Sequence, residues 1–302
     1  MATFSKVQFK TADGLRLSAR LYSAGKARPS IIMTHGFAGL KEHCLPDFAE
    51  RFQADGYTVL LYDNRCWGES EGSPRKEADA VLQARDYFDA FTYVRTLPDA
   101  DPSQIFYWGT SLSGGNVILA ASVNRQIKAV IAQVPFVGDH TGRGVPDSFV
   151  SKLLDDRYTV REGGDPFLGR VFPKNLEEAQ NGTTEALLPS PESMPYLEEL
   201  VRRGMSIDMT ATIQSFLNSS FTDPGAVSHR ISPTPFLMVV ASKDETTPIN
   251  LQRAAFEEAK EPKKLVTLDG GHFHPYFGKL FERNIEAQLE FLRSIRSANP
   301  SL

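Results

Sequence analysis

The stretch Ile105-Phe-Tyr-Trp-Gly-Thr-Ser-Leu-Ser-Gly-Gly115 decides how this chain folds. A short apolar strand, Ile105–Trp108, runs into a turn of small residues, and an apolar helix, Asn116–Val123, follows. A serine on so sharp a strand-to-helix turn stands clear of the backbone and can attack a carbonyl. The turn leaves no room for large neighbours, and Gly109, Ser113, Gly114 and Gly115 meet that demand. The usual pattern is G-x-S-x-G; here Ser113 holds the place of the second glycine, a minor departure because serine is small. A Gly/Ser-rich turn before a helix also serves as a plain connection or an anion site. What surrounds Ser111 therefore has to separate these readings.

Outward from the turn, buried strands alternate with amphipathic helices. Val7–Lys10 and Leu15–Tyr22 flank Asp13-Gly14 as a hairpin. Strands are predicted over Ser30–Thr34, Thr58–Tyr62, Ala129–Val134, Phe236–Ala241 and Leu265–Leu268. Helices are predicted from Pro46 to Ala54, with proline in the first turn, along the face Val81, Ala84, Phe88, Phe91 and Val94, and over Leu251–Lys260. A last helix carries Phe281, Ile285, Leu289, Leu292 and Ile295 on one side. Fully apolar strands between such helices mean an α/β fold with a mostly parallel central sheet and helices on both faces. The alternation breaks from Pro135 to Ser232. We expect a core of 1–134 and 233–302 with residues 135–232 inserted as a helical cap. Its predicted helices are Phe149–Tyr158, Tyr196–Arg203 and Met209–Leu217, and mobility is expected between Gly163 and Pro195.

A serine needs a base, and the base an orienting acid. Asp244 follows a buried strand in Ser242-Lys243-Asp244-Glu245-Thr246-Thr247-Pro248, and His272 follows the next in Asp269-Gly270-Gly271-His272. The order Ser111, Asp244, His272 is one of the known chain orders for such a triad. Asp244 is also placed to cap the helix near Asn250. Glu245 and Asp269 are weaker acids for the role, and His274 is the rival base. His35 reads as structural, and His43, His140 and His229 as solvated. The developing oxyanion needs donors. The N–H of Leu112 follows the nucleophile, and Phe37 in His35-Gly36-Phe37-Ala38-Gly39 is the best second donor. Among the apolar groups of the inserted segment and the histidine loop, Phe136, Phe216 and Phe273 are expected to line the substrate pocket. An apolar covered pocket favours a medium-length acyl chain over a peptide.

These residues resemble the α/β-hydrolase superfamily over nearly the whole chain. The matching pieces are His35-Gly36-Phe37, the loop Asp63-Asn64-Arg65-Cys66-Trp67-Gly68-Glu69-Ser70, the serine turn, Asp244 and Gly271-His272. The runs Gly36 to Glu42, Tyr62 to Arg65 with Gly72 to Arg75, and Gly109 to Gly115 are similar to fungal secondary-metabolite hydrolases, including polyketide transferases and thiohydrolases. The resemblance implies an inserted cap on an α/β-hydrolase fold. It also implies an enzyme that moves an acyl chain from a thioester, delivered from a polyketide synthase, to water, an alcohol or a carbon nucleophile. Plain carboxylesterase or peptidase activity, carbon–carbon chemistry on β-dicarbonyls, and a non-catalytic binding protein are the alternatives. Within the 63–70 loop an Asp63–Arg65 contact is expected, with Cys66 packed rather than reactive.

Composition excludes other classes. The chain has 302 residues, 41% apolar and 23% charged, with a formal net charge of −4 and no basic stripe, which argues against nucleic acid. Cys44 and Cys66 are too few for a disulfide framework, and no Cys/His cluster points to a metal. We therefore expect no cofactor. No apolar run is long enough for a bilayer and no signal core opens the chain, so cytoplasm is the expected compartment. A homodimer through the inserted segment or the final helix is compatible with the sequence, and no dedicated interface is legible.

Overall fold

In a sheet covered on both faces, successive side chains of one strand must feed two separate cores. The computed structural model, which describes residues 3–138, 147–207 and 209–297, shows this directly. In β3 (Arg28–Thr34), Ile31 and Met33 enter one core and Ile32 the other. In β9 (Phe236–Ala241), Leu237, Val239 and Ala241 go one way and Phe236, Met238 and Val240 the other.

The remaining strands of the main sheet are β1 (Ser5–Lys10), β2 (Arg16–Tyr22), β4 (Thr58–Tyr62), β5 (Ala100–Thr110), β6 (Val130–Gln133) and β10 (Lys263–Leu268). Their spatial order is β1-β2-β4-β3-β5-β6-β9-β10. β1 pairs with β2, and β2 with β4, antiparallel; from β4 onward every pair is parallel. Helices α1 (Leu45–Ala54) and α9 (Gly278–Ser297) cover one face. α2 (Ala80–Val94), α3 (Leu112–Ala121) and α8 (Ile249–Glu258) cover the other. Two local rules are visible in these helices. Asp79 caps α2 by accepting from the Leu82 N–H at 2.9 Å. The buried stripe Phe281, Ile285, Leu289 and Leu292 fastens α9, each side chain contributing about 1.5–3 kcal/mol of burial.

The segment from Pro135 to Ser232 holds α4 (Asp147–Arg161), β7 (Leu168–Arg170), α5 (Leu176–Gln180), α6 (Met194–Arg202), β8 (Thr210–Thr212) and α7 (Gln214–Ser220). Two expectations change, one here and one at the serine turn. Met209–Leu217 is not one helix: Thr210–Thr212 pairs antiparallel with Leu168–Arg170 before α7 begins, two β-branched threonines in three residues favouring the strand. The stretch Gly163–Pro195, for which mobility is expected, contains β7 and α5. And α3 starts at Leu112, not Asn116, directly after the serine, because Ser113, Gly114 and Gly115 let the helix begin flush against the sheet. His140 lies outside the described residues.

Candidate active site

The serine turn is tied to the sheet on both sides. Ser111 donates its N–H to the Gln133 carbonyl at 2.9 Å, and its own carbonyl accepts from Phe136 at 2.9 Å and Gly115 at 3.2 Å. The result is a backbone at φ 56°, ψ −123°, a sparsely populated region that costs on the order of 1–3 kcal/mol for a residue with a Cβ. Gly109 makes the turn possible, since a Cβ there would sit 2.0 Å from the Ser113 carbonyl oxygen. Ser113 does more than fit. Its hydroxyl donates to the His35 carbonyl at 2.5 Å and accepts from Asn64 Nδ2 at 3.2 Å, joining the ends of β5, β3 and β4.

Loops from two further strand ends complete the line. Ser111 Oγ lies 3.0 Å from His272 Nε2, and His272 Nδ1 lies 2.9 Å from Asp244 Oδ2. An ionised carboxylate only accepts, so Nδ1 carries the proton and Nε2 is free to accept from the serine. Burial disfavours a charged imidazole, but the adjacent Asp244 carboxylate, helped by Glu192, outweighs it and holds His272 above its ordinary 6.5. Asp244 is itself fixed by the Thr247 N–H at 2.8 Å and by Gln252 Nε2 at 3.0 Å. The first of these closes the loop before α8 and does not cap the helix near Asn250 as expected, since the N-cap of α8 is Pro248 with no side-chain bond; Asp244 serves this loop and the imidazole. The Thr247 hydroxyl lies 3.0 Å from both Asp244 Oδ2 and His272 Nδ1. Such a line lets a hydroxyl lose its proton to the imidazole as it attacks, with the carboxylate stabilising the cation.

The other expected positions fall as follows. Gly36 runs so close to Ser111 that a Cβ on it would lie 2.7 Å from Ser111 Cβ. Phe37 and Ser111 therefore share one cleft, and no described bond uses the backbone N–H of Phe37 or of Leu112. The apolar wall of the cleft includes Leu45, Phe172, Leu188, Tyr196, Met209 and Phe273. Phe273 is thus on the wall. Phe216 and Phe136 are not among its lining residues: Phe216 packs edge-on against Phe37, ring centres 5.6 Å apart, and Phe136 is held beside the turn by its bond to the Ser111 carbonyl. His274 accepts from the Gly271 N–H at 3.0 Å and shapes the loop; it is His272 that reaches the serine. Glu245 and Asp269 are exposed.

Some sequence expectations are corrected. Asp63 does not pair with Arg65. It accepts from Lys41 Nζ at 2.6 Å and Lys41 N at 2.8 Å, while Arg65 binds Asp86 at 2.8 Å and Asp13 at 2.8 Å. Lys41 lies 22 residues from Asp63, and Asp86 and Asp13 lie 21 and 52 residues from Arg65, so adjacency on the chain is a poor guide to the pairing. His43 is not solvated but buried on the cleft wall, where burial drops it to about 4; His229 is half-buried. His35 is buried and accepts from the Asn64 N–H at 3.1 Å, a structural role as expected. Burial pushes the Cys66 thiol up to about 11, consistent with packing rather than reactivity.

Three contributors carried no legible sequence signal beyond their chemistry. Gln252 is eight residues past the acid, one face of α8. Tyr276 bonds Thr110 beneath the serine. Glu192, between Pro135 and Ser232, binds both the loop that carries Asp244 and the loop that carries His272. Among the described residues no helix is long and apolar enough to cross a membrane.

Comparison with known proteins adds the following. The sequence profile of the family described as "Serine aminopeptidase, S33" matches residues 25–279. Thiohydrolase aneE of Aspergillus aculeatus is 32% identical, over 97% of this chain and 94% of that protein. Polyketide transferase grgF of a Penicillium species is 35% identical, over 96% of each. The crystal structure of the alpha/beta hydrolase GrgF from Penicillium sp. sh18 superposes with a TM-score of 0.84 at 31% identity, covering 98% of this chain and 99% of that one.

Proposed function

The chain belongs to the α/β-hydrolase family whose profile is described as serine aminopeptidase S33, and from that premise we propose that it transfers an apolar acyl chain from a thioester or ester through an acyl-serine. One observation carries this reading: the unbroken line from Ser111 Oγ to His272 Nε2 at 3.0 Å and from His272 Nδ1 to Asp244 at 2.9 Å. In the first half-reaction Ser111 Oγ bonds to the carbonyl carbon and its proton passes to His272 Nε2. The oxyanion is held by the N–H groups of Phe37 and Leu112. The carbon–sulfur or carbon–oxygen bond then breaks, and the leaving thiol or alcohol takes the proton from His272. In the second half-reaction water, an alcohol or a carbon nucleophile gives its proton to His272 as it attacks the acyl carbon, and the proton returns to Ser111 as the acyl group departs.

The cleft wall supports an acyl chain over an aminopeptidase substrate. Among its described lining residues there is no Asp or Glu to hold a substrate's terminal amine, whereas aromatic and aliphatic groups dominate. The inserted segment, residues 135–232, supplies Phe172, Leu188, Tyr196 and Met209 of that wall and acts as the cap. The names thiohydrolase and polyketide transferase of the relatives agree with a thioester donor of the polyketide type.

Intact mass spectrometry after incubation with a panel of acyl-thioesters tests the proposal. The expected product is a single acyl adduct on the wild type, absent from Ser111→Ala and formed roughly 10⁴-fold more slowly by Asp244→Asn, whose imidazole is held in the wrong tautomer. A wild type that gives no adduct and no fluorophosphonate label refutes it.

A further inference from the structure

We propose that Glu192 is a positioning residue that clamps the acid loop and the histidine loop together, so that the inserted segment must be seated on the sheet for His272 to serve Ser111. The inference rests on the reading of His272 as the base.

Glu192 sits in a short turn, Pro191–Ser193, immediately before α6. One carboxylate oxygen accepts from the backbone N–H groups of Glu245 at 3.1 Å and Thr246 at 2.6 Å, and from the Thr246 hydroxyl at 2.5 Å. The other accepts from the backbone N–H of His272 at 2.9 Å. Both oxygens are thus spent on the residues that flank Asp244 and on His272 itself. Charge-assisted bonds of this kind are about twice as strong as neutral ones.

Two independent features point the same way. A Cβ on Gly271 would lie 2.5 Å from the Glu192 carboxylate, so the histidine loop is shaped to admit it. Ser190, two residues before, donates to the Glu245 carboxylate at 2.9 Å, a second tie between the inserted segment and the acid loop. Beyond the clamp, α6 lays Tyr196 flat against Phe273, ring centres 5.0 Å apart, next to the imidazole. No element of the main sheet makes these contacts; they all come from the segment that covers the cleft.

The clamp has an electrostatic side. The charges facing His272 are Asp244, from its own sheet edge, and Glu192, from the inserted segment. His35 and His43 share the cleft as buried groups whose burial keeps them neutral. Lys243 pairs with Asp269 at 3.0 Å on the exposed side, and Glu245 is exposed. Removing the charge of Glu192 therefore makes His272 easier to deprotonate while loosening its loop.

Glu192→Gln is nearly isosteric, yet either orientation of its amide sets an NH₂ against a backbone N–H donor. The measurement is the rate of Ser111 phosphonylation by a fluorophosphonate across pH, with kcat and KM for an acyl-thioester alongside. The expected result is a roughly 10- to 100-fold slower reaction, an inflection displaced to lower pH, and KM within about threefold of wild type. Gly271→Ala, which keeps the carboxylate but pushes it away, is expected to slow the reaction similarly with a smaller displacement of the inflection. Wild-type rates and pH dependence in both variants overturn the clamp. A wild type that is never phosphonylated instead removes the serine reading on which it stands, so the two failures are distinguishable.

Discussion

Replacing Lys41 by methionine tests how the loop after β3 is anchored. The ammonium is 1% exposed and the carboxylate of Asp63 is fully buried, 2.6 Å away. Lys41 Nζ also meets Glu69 at 2.8 Å and Glu42 at 3.2 Å, but those carboxylates are 52% and 31% exposed and are readily hydrated once freed. The cost falls on Asp63. Breaking a buried pair from one side costs about 3–5 kcal/mol, because a charge is left uncompensated. Asp63 retains two backbone donors, Lys41 N at 2.8 Å and Glu69 N at 3.0 Å, which places the expected loss near the lower end, about 3 kcal/mol. For 302 residues the unfolding entropy is about 0.6 kcal/mol/K, so the midpoint should fall by about 5 °C. Adding Asp63→Asn removes the stranded charge, and the double variant should be more stable than the sum of the single losses. Thermal unfolding followed by circular dichroism reads all four proteins. Burial opposes the ammonium, but Asp63, Glu69 and Glu42 more than offset it and raise Lys41 above its ordinary 10.5. The part of the stability linked to this shift of Lys41 should therefore be fully present just below that value and be lost as pH climbs through the raised one. A Lys41→Met midpoint within 1 °C of wild type, or strictly additive losses, would refute the reasoning.

Two further outcomes follow from the site. Gly36→Ala places a Cβ 2.7 Å from Ser111 Cβ and 3.1 Å from the Thr110 carbonyl, both rigid neighbours; phosphonylation should slow by about 100-fold, and a rate within threefold of wild type contradicts the placement of this loop. Because Asp244 and Glu192 hold His272 above 6.5, the neutral base is depleted at mildly acidic pH. Phosphonylation should rise with an inflection above that value, and an inflection at or below it goes against the electrostatics described. The same shift favours the folded state below about 6.5, and that contribution disappears as pH rises through the folded value.

The strands were legible because burial on both faces demands unbroken apolar runs: Phe236–Ala241 reads as a strand with no knowledge of its neighbours. Parallel strands then put their C-terminal ends on one edge, which is why Ser111, Asp244 and His272 could be chosen from chain order and loop position alone. What escaped was whatever depends on a partner distant in sequence. Glu192 and His272 are 80 residues apart and share no periodicity. Asp63 finds Lys41 rather than Arg65, since two residues in a turn point to different neighbours. His43 looked solvated because a histidine before a helix has no apolar signature of its own. In Met209–Leu217 a short apolar spacing fitted a helix, while the strand depends on Leu168–Arg170 across the segment.

The hydroxyl of Ser113 has a consequence for grafting. By joining His35 and Asn64 it refers the position of Ser111 to three strand ends, while residues 135–232 add the backbone N–H of Phe136, a donor that any residue but proline would supply. A chimaera that received the corresponding segment of a relative would keep its serine in place and change only what is admitted to it. The imidazole enjoys no such independence: the donor segment would have to bring a carboxylate of its own to the spot that Glu192 now fills.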